Sequence, residues 1–231
     1  MQALKPAIGV LLAPAALAAA WATGAALAPA LGKFGVTFPL LGGALACLLF
    51  HWLGRGRRLY VAAHELTHAL AAVLVGVKVR RIAIKKNSGY VLLDSTNAFI
   101  SLAPYFVPLY TLAVAALYWT AGRFWDVLPL RPWFLAAAGF TLAFHLLHTA
   151  DILSGPVQSD LKKAGGPVFS LPLLLLLNCL GLAAALKMLF PGLLSLRAYG
   201  CAVLQAQGAA YAWLYAAALE AFNTARIYFN K

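Results

Sequence analysis

Apolar runs of about 20 residues, the length at which an α-helix crosses a bilayer, fill most of this 231-residue chain. Basic residues separate these runs. The chain is 63% hydrophobic and 10% charged, whereas roughly half of a soluble domain is apolar and roughly a quarter is charged. The sequence therefore predicts an all-α, multi-pass integral membrane protein.

Six to seven transmembrane helices are expected, because the last apolar segment either spans the membrane or lies on its surface. Pro104 and Pro108 should bend the fourth segment, since proline removes a helix hydrogen bond. The predicted spans lie at 7–31, 35–53, 59–77, 97–120, 133–153, 167–190 and 199–221.

All the long segments are apolar, so one membrane domain over 1–231 is predicted. It divides into N-terminal spans at 1–54, a core at 55–180 and a C-terminal helix at 197–231. The first apolar run is longer than the apolar part of a signal peptide, and we interpret it as a retained span. Basic residues divide eight against ten between the two sides of a seven-span arrangement, which leaves the orientation open.

The net charge of +12 is attributed to anionic lipid headgroups and to topology, and no nucleic-acid partner is expected. Cys47, Cys179 and Cys201 lack CxxC spacing. Neither a cysteine zinc site nor a disulfide framework is therefore predicted.

An HExxH motif lies within the third predicted span and reads His64-Glu65-Leu66-Thr67-His68. Positions four apart share one face of a helix, so His64 and His68 can hold one Zn²⁺. Glu65 lies between them and can act as general base toward a water molecule at the metal. Because ionisable side chains are costly in lipid, the motif argues for a function rather than for packing alone. It indicates a metalloprotease.

A catalytic zinc site takes three protein ligands, and the acidic residues that could supply the third are few. Asp160 is favoured, because the flexible segment before the sixth predicted span could turn its carboxylate into the helix bundle. Asp151 is the alternative ligand. It forms an i, i+3, i+6 series with His145 and His148 along one helical face. That series suits groups that support the ligands or relay protons, and it equally suits ordinary packing.

The basic segment 78–95 differs from the rest of the chain. The turn signal Lys86-Asn87-Ser88-Gly89 is followed by the strand-like run Tyr90-Val91-Leu92-Leu93. A short β-hairpin after the HExxH helix is therefore predicted, and a basic loop is the alternative.

These features together resemble the site-2 protease family of intramembrane zinc metalloproteases, and most closely its compact bacterial branch without a PDZ domain. The resemblance covers roughly 55–180. It rests on His64 to Leu70, Gly76, Ser88-Gly89-Tyr90 and Ser101-Leu102-Ala103-Pro104.

The resemblance implies that His64 and His68 are zinc ligands, that Glu65 is the base, and that an Asp on a later helix is the third ligand. It also implies a location in a bacterial inner membrane. The hairpin is further implied to offer an edge strand to an unwound substrate helix. The hairpin residues concerned are Ser88, Gly89, Tyr90 and Val91.

The chain departs from the family pattern in two places. The usual third-ligand signature, an Asn-Pro-rich run that ends in Asp-Gly, is absent, while Ser159-Asp160-Leu161 resembles the Ser-Asp form of the compact branch. The Gly-Pro pair of the helix after the hairpin is Ala103-Pro104 here.

The sequence thus predicts an intramembrane zinc endopeptidase that cleaves a transmembrane or membrane-proximal segment of a membrane protein. Its expected partners are that substrate and the lipid bilayer, and the oligomeric state is left open. Two other classes remain: a catalytically silent membrane scaffold, and a transporter of protons or metal ions. The inverted-repeat symmetry typical of a transporter is not visible in the hydropathy.

Overall fold

The structure is a computed structural model that describes residues 2–85, 88–189, 192 and 194–229. It is mostly helical, with one short sheet. The helices and strands are α1 (Lys5–Leu27), α2 (Phe34–Trp52), α3 (Arg57–Leu74), β1 (Val79–Ile84), β2 (Gly89–Leu93), α4 (Ala98–Phe106), α5 (Leu109–Ala121), α6 (Arg131–Ser154), α7 (Ser159–Ala164), α8 (Pro167–Leu189) and α9 (Leu196–Phe229).

Four helical segments among the described residues are long and apolar enough to cross a membrane. They are α1, α2, Leu128–Ser154 and α8. The pair α4 and α5 makes a fifth candidate if it is taken as one span bent by 70°. Pro104 lies inside α4 and Pro108 precedes α5, so the break falls where the prolines predicted distortion. The protein is a multi-pass membrane protein with four to five candidate spans.

Two of the seven predicted spans are outside this set. The third corresponds to α3, whose average hydropathy is lowered by its arginines and by the polar residues of the HExxH motif. The seventh corresponds to α9, a 34-residue helix with charged residues near its C-terminal end.

Backbone contacts divide the chain into two compact units, residues 1–30 with 171–231 and residues 31–170. In the first unit α1 packs against α9, and alanines on α1 allow the close approach. The Thr23 hydroxyl donates to the Ala19 oxygen at 2.7 Å and lies 2.9 Å from the Tyr199 hydroxyl. The second unit carries every residue of the predicted site.

Within the second unit, α2 and α6 touch backbone to backbone through glycines. A Cβ at Gly43 would lie 1.9 Å from the Ala136 oxygen, and one at Gly139 would lie 2.0 Å from the Leu40 oxygen. Small residues at such a crossing let membrane helices approach closely. This contact fixes the two helices that lie beside α3.

Helix α3 is bounded by two glycines in the left-handed region, Gly56 with φ +96° and Gly76 with φ +74°. The Gly76 amide donates to the Val73 oxygen at 3.1 Å, as expected where a left-handed glycine ends a helix. The chain then turns directly into β1. The two glycines therefore set where the motif helix begins and where the hairpin leaves it.

The predicted hairpin is confirmed, because β1 and β2 pair antiparallel with Ile84 opposite Gly89 and Ile82 opposite Val91. The Lys85 amide donates to the Ser88 oxygen at 2.8 Å and closes the turn. Of the predicted turn, Lys86 and Asn87 lie outside the described residues.

Candidate metal centre

The two motif histidines project from one face of α3 toward a common point. The Nε2 atoms of His64 and His68 are 3.2 Å apart, and the two rings meet edge to face. The Nδ1 atom of His68 donates to the Ile100 oxygen on α4 at 2.8 Å. This bond places the proton of His68 on Nδ1 and leaves the lone pair of Nε2 directed at the common point.

Asp160 reaches the same point from the short helix α7. The side chains of Leu161 and Ala164 are buried and anchor α7. Gly165 and Gly166 follow with φ of +137° and +88° and turn the chain away. The Oδ2 atom of Asp160 lies 3.3 Å from Nε2 of His64 and 3.4 Å from Nε2 of His68.

The three donor atoms have the spacing of a zinc site. Ligand atoms about 2.0–2.2 Å from zinc, at tetrahedral angles, lie roughly 3.3–3.6 Å from one another. The observed separations are 3.2, 3.3 and 3.4 Å. Two imidazoles and one carboxylate form a donor set known for catalytic zinc, and it leaves a fourth position for water or substrate. The group His64, His68 and Asp160 can therefore hold a metal ion.

The surroundings of Asp160 favour its ionised form, which is the form that binds metal. Burial alone would raise the pKa of Asp160, but hydrogen bonds with His64 and His68 outweigh it and hold the pKa below its ordinary value. The Tyr105 hydroxyl on α4 also donates to Oδ2 of Asp160, at 3.1 Å.

Glu65 lies beside the donor atoms and against the hairpin. Its residue is only 8% exposed. A Cβ at Gly89 would come within 2.8 Å of its Oε1 atom, so the first residue of β2 packs directly on the carboxylate. Only glycine leaves room for this contact. The carboxylate is not part of the three-atom donor group, which leaves it free to accept a proton.

These groups share one cavity of about 470 Å³. Its walls are α3, β2, the start of α4 and α7. Besides the motif residues and Asp160, it is lined by Gly89, Tyr90, Val91, Leu92, Leu93, Ser95, Thr96, Ile100, Ser101, Gln158, Ser159 and Lys163. The cavity is called the cleft below.

Residues 40–153 match the model of the Peptidase M50B-like family. The chain belongs to this site-2-protease-like family. The match includes the HExxH motif, the hairpin and α4, and it ends before Asp160. No curated protein and no solved structure shows significant similarity to the chain.

The other predicted site residues of this M50B-like chain form two groups, the hairpin residues and a set on α6 that lies outside the cleft. Asp151 is outside the three-atom group, and its Oδ2 lies 3.2 Å from Nε2 of His51. His148 stacks on Tyr60 with ring centroids 5.2 Å apart. His145 is buried and faces a small pocket behind His64. Ser88 closes the hairpin turn, whereas Gly89, Tyr90 and Val91 line the cleft.

Contacts made by three residues of this M50B-like chain, Tyr60, Tyr105 and His51, were not predicted from the sequence. Tyr60 lies four residues before His64, and its hydroxyl is 3.4 Å from Nδ1 of His64, so helical spacing could have revealed it. The roles of Tyr105 and His51 depend on how distant helices pack. No local pattern in the sequence signals them.

Proposed function

We propose that this chain is an intramembrane zinc metalloendopeptidase that cleaves a transmembrane or membrane-proximal segment of a membrane protein. The observation that supports it best is the convergence of three donor atoms at 3.2–3.4 Å, with Glu65 beside them, in a cleft walled by a β-strand. Membership of a peptidase family supports the same assignment.

The proposed division of labour follows from the positions of the side chains. His64, His68 and Asp160 hold the metal, and bound zinc supplies Lewis-acid chemistry that polarises a carbonyl and acidifies water. Glu65 takes a proton from the attacking water and passes it to the leaving amine. The bond from His68 to the Ile100 oxygen and the bond from Tyr105 to Asp160 keep two of the ligands oriented.

The substrate is proposed to pair with the outer edge of β2. Bonded and non-bonded residue pairs alternate along an antiparallel ladder. Since Lys85 bonds to Ser88, the pairs Ile84–Gly89 and Ile82–Val91 are non-bonded, and the amides of Gly89 and Val91 face away from β1. An unwound substrate segment can bond to them, which offsets the helix hydrogen bonds that it loses.

We further propose that α3 lies within the bilayer, which brings the number of spans to the predicted six or more. His64 is six residues beyond Arg58, so about 9 Å of helix separates the metal site from the basic turn at the membrane surface. Water can reach the cleft over that distance, and hydrolysis within a membrane requires such access.

The test uses the full chain reconstituted in proteoliposomes with zinc and a pool of fluorogenic transmembrane peptides. Glu65→Gln should lower cleavage at least roughly 100-fold, the smaller end of what a general base contributes. Metal analysis of the same sample should show zinc at the wild-type level, because Glu65 is proposed as base and not as ligand.

The other function classes have distinct results in this experiment. A silent scaffold would bind zinc while the wild type cleaves none of the peptides. A transporter would move protons or metal ions across the vesicle membrane, and Glu65→Gln would alter that flux. Full cleavage by Glu65→Gln would rule out the proposed role of Glu65.

A further inference from the structure

A second cavity of about 530 Å³ lies between the C-terminal end of α2, the beginning of α3 and the end of α6. We call it the basic cavity. The residues that matter in its wall are His51, Arg55, Arg57, Tyr60, His148 and Asp151. We infer that the basic cavity binds the phosphate group of a phospholipid headgroup.

The charge balance of the basic cavity favours an anion. The guanidinium groups of Arg55 and Arg57 have no acidic partner among the residues that the structure describes. Asp151 is the one acid in the lining, and its carboxylate is already 3.2 Å from Nε2 of His51. Two uncompensated arginines therefore remain. Arginine is suited to phosphate because its planar fork donates two parallel hydrogen bonds.

A ring nitrogen of a buried histidine also offers a ligand contact at this place. His148 is 8% exposed and lines the basic cavity. Its Nδ1 atom donates to the Phe144 oxygen at 3.0 Å, so Nε2 of the neutral ring is an acceptor. Within the described part of the chain, Nε2 has no hydrogen-bond partner. A hydroxyl or ammonium group of a headgroup can donate to it, while the phosphate bonds to the arginines.

Exposed apolar residues that adjoin the cavity residues in sequence favour a lipid over a soluble phosphate ester. Trp52 and Leu53 directly follow His51, and Leu59 precedes Tyr60. These three side chains are 83%, 62% and 52% exposed. Tryptophan is typical of the membrane–water interface, where one end of the ring meets lipid and the other meets water. A phosphate in the cavity and acyl chains along this nearby apolar surface together match a phospholipid.

The inference is tested on the full chain in mixed micelles, with phosphatidylglycerol as the probe and native mass spectrometry to count bound lipid. Replacing both arginines (Arg55→Gln with Arg57→Gln) should weaken phosphatidylglycerol binding about 10–30-fold, given the contribution of each basic residue near an anionic lipid. The matched control is Arg123→Gln with Arg131→Gln. It removes the same charge from exposed arginines outside the cavity and should leave binding unchanged.

Two checks keep the result interpretable. Both double variants should retain the wild-type zinc content and melting temperature, which shows that the second unit is folded. Glycerol phosphate, a soluble phosphate ester, should compete poorly with phosphatidylglycerol.

Equal weakening in both double variants would mean non-specific surface attraction and would overturn the assignment. Wild-type binding after loss of Arg55 and Arg57 would overturn it too. Glycerol phosphate that competes as tightly as the lipid would overturn the lipid as the source of the phosphate. None of these readouts depends on peptide cleavage, so the result stands apart from the proposed protease activity.

Discussion

The cleft and the basic cavity both border α3, the basic cavity near the N-terminal end of the helix and the cleft further along it. Each contains two histidines and one aspartate. In the cleft, the donor atoms of His64, His68 and Asp160 lie 3.2–3.4 Å apart. In the basic cavity only the pair formed by His51 and Asp151 is that close. The same set of residue types therefore gives a candidate metal site in one place and a separate ion pair in the other.

The orientation of the imidazole rings explains the difference. In the cleft, the second nitrogen of His68 is bonded to a carbonyl on a different helix, α4, which directs Nε2 at its neighbours. In the basic cavity, Nδ1 of His148 bonds to a carbonyl of its own helix, and the ring lies flat on Tyr60. A metal site requires that the donor atoms converge. The hydrogen-bond partner of the other ring nitrogen decides whether they do, because it sets the orientation of the ring.

The largest effect is expected when the aspartate of each cavity is replaced by alanine in turn. Asp160→Ala should weaken zinc binding by more than the roughly 10–100-fold that loss of a supporting group costs, and activity should fall with it. Asp151→Ala should leave zinc affinity within about twofold of wild type, because independent sites seldom couple. Competition with a chelator measures both. Loss of zinc in Asp151→Ala alone would reverse the roles assigned to the two cavities.

A smaller effect, about fivefold on cleavage of helical peptides, is expected for Val91→Pro, which removes one outward amide from β2. An extended peptide needs no unwinding and should be cleaved with less loss. The matched control is Ile82→Pro, which removes an amide from the outer edge of β1, away from the cleft. Similar losses in the two variants would argue that the outer edge of β2 has no part in binding the substrate.

Tyr105→Phe should reduce zinc affinity about tenfold, because it removes the donor to Oδ2 of Asp160 and leaves the packing intact. Zinc titration followed by tryptophan fluorescence gives the affinity without a substrate. A variant that binds zinc as the wild type does would show that the hydroxyl serves only the fold.

The smallest effect concerns Tyr60, which lines the basic cavity and contacts His64 of the cleft. Tyr60→Phe should change zinc affinity less than about threefold, since a contact of 3.4 Å to Nδ1 of His64 is long for a hydrogen bond. Tyr110→Phe is its control, because the Tyr110 hydroxyl also bonds to α3 but donates to the Leu59 main-chain oxygen and not to a histidine. A large change in Tyr60→Phe would mean that the basic cavity and the metal site are strongly coupled.

Local patterns carried much of the prediction. The spacing of His64 and His68 on one helix face and the turn signal before Tyr90 each depend on a few neighbouring residues, so the sequence reveals them. The number of spans is harder to predict from the sequence, because the polar motif lowers the hydropathy of α3 and prolines break the segment around Pro108. The sequence ranked Asp160 first partly by elimination and partly because the flexible segment around it can turn into the bundle.

What the sequence could not supply were contacts between distant segments. Asp160 approaches His64 across 96 positions, and His51 meets Asp151 across 100. Such pairs depend on how α2, α4, α6 and α7 pack, and no periodicity in one segment encodes them. The separation of two similar residue sets into two cavities is therefore a property of the tertiary structure.

The acceptor for His68 at Ile100 is a main-chain oxygen, and every amino acid brings that oxygen to position 100. Point mutation there can change the packing of α4 but cannot delete the acceptor. Tyr105, in contrast, supports Asp160 through a side chain that a single codon change removes. The orientation of His68 thus depends on the backbone path of α4, whereas the orientation of Asp160 depends on the side chain of Tyr105. A deep mutational scan should therefore find position 100 tolerant of apolar residues and position 105 restricted.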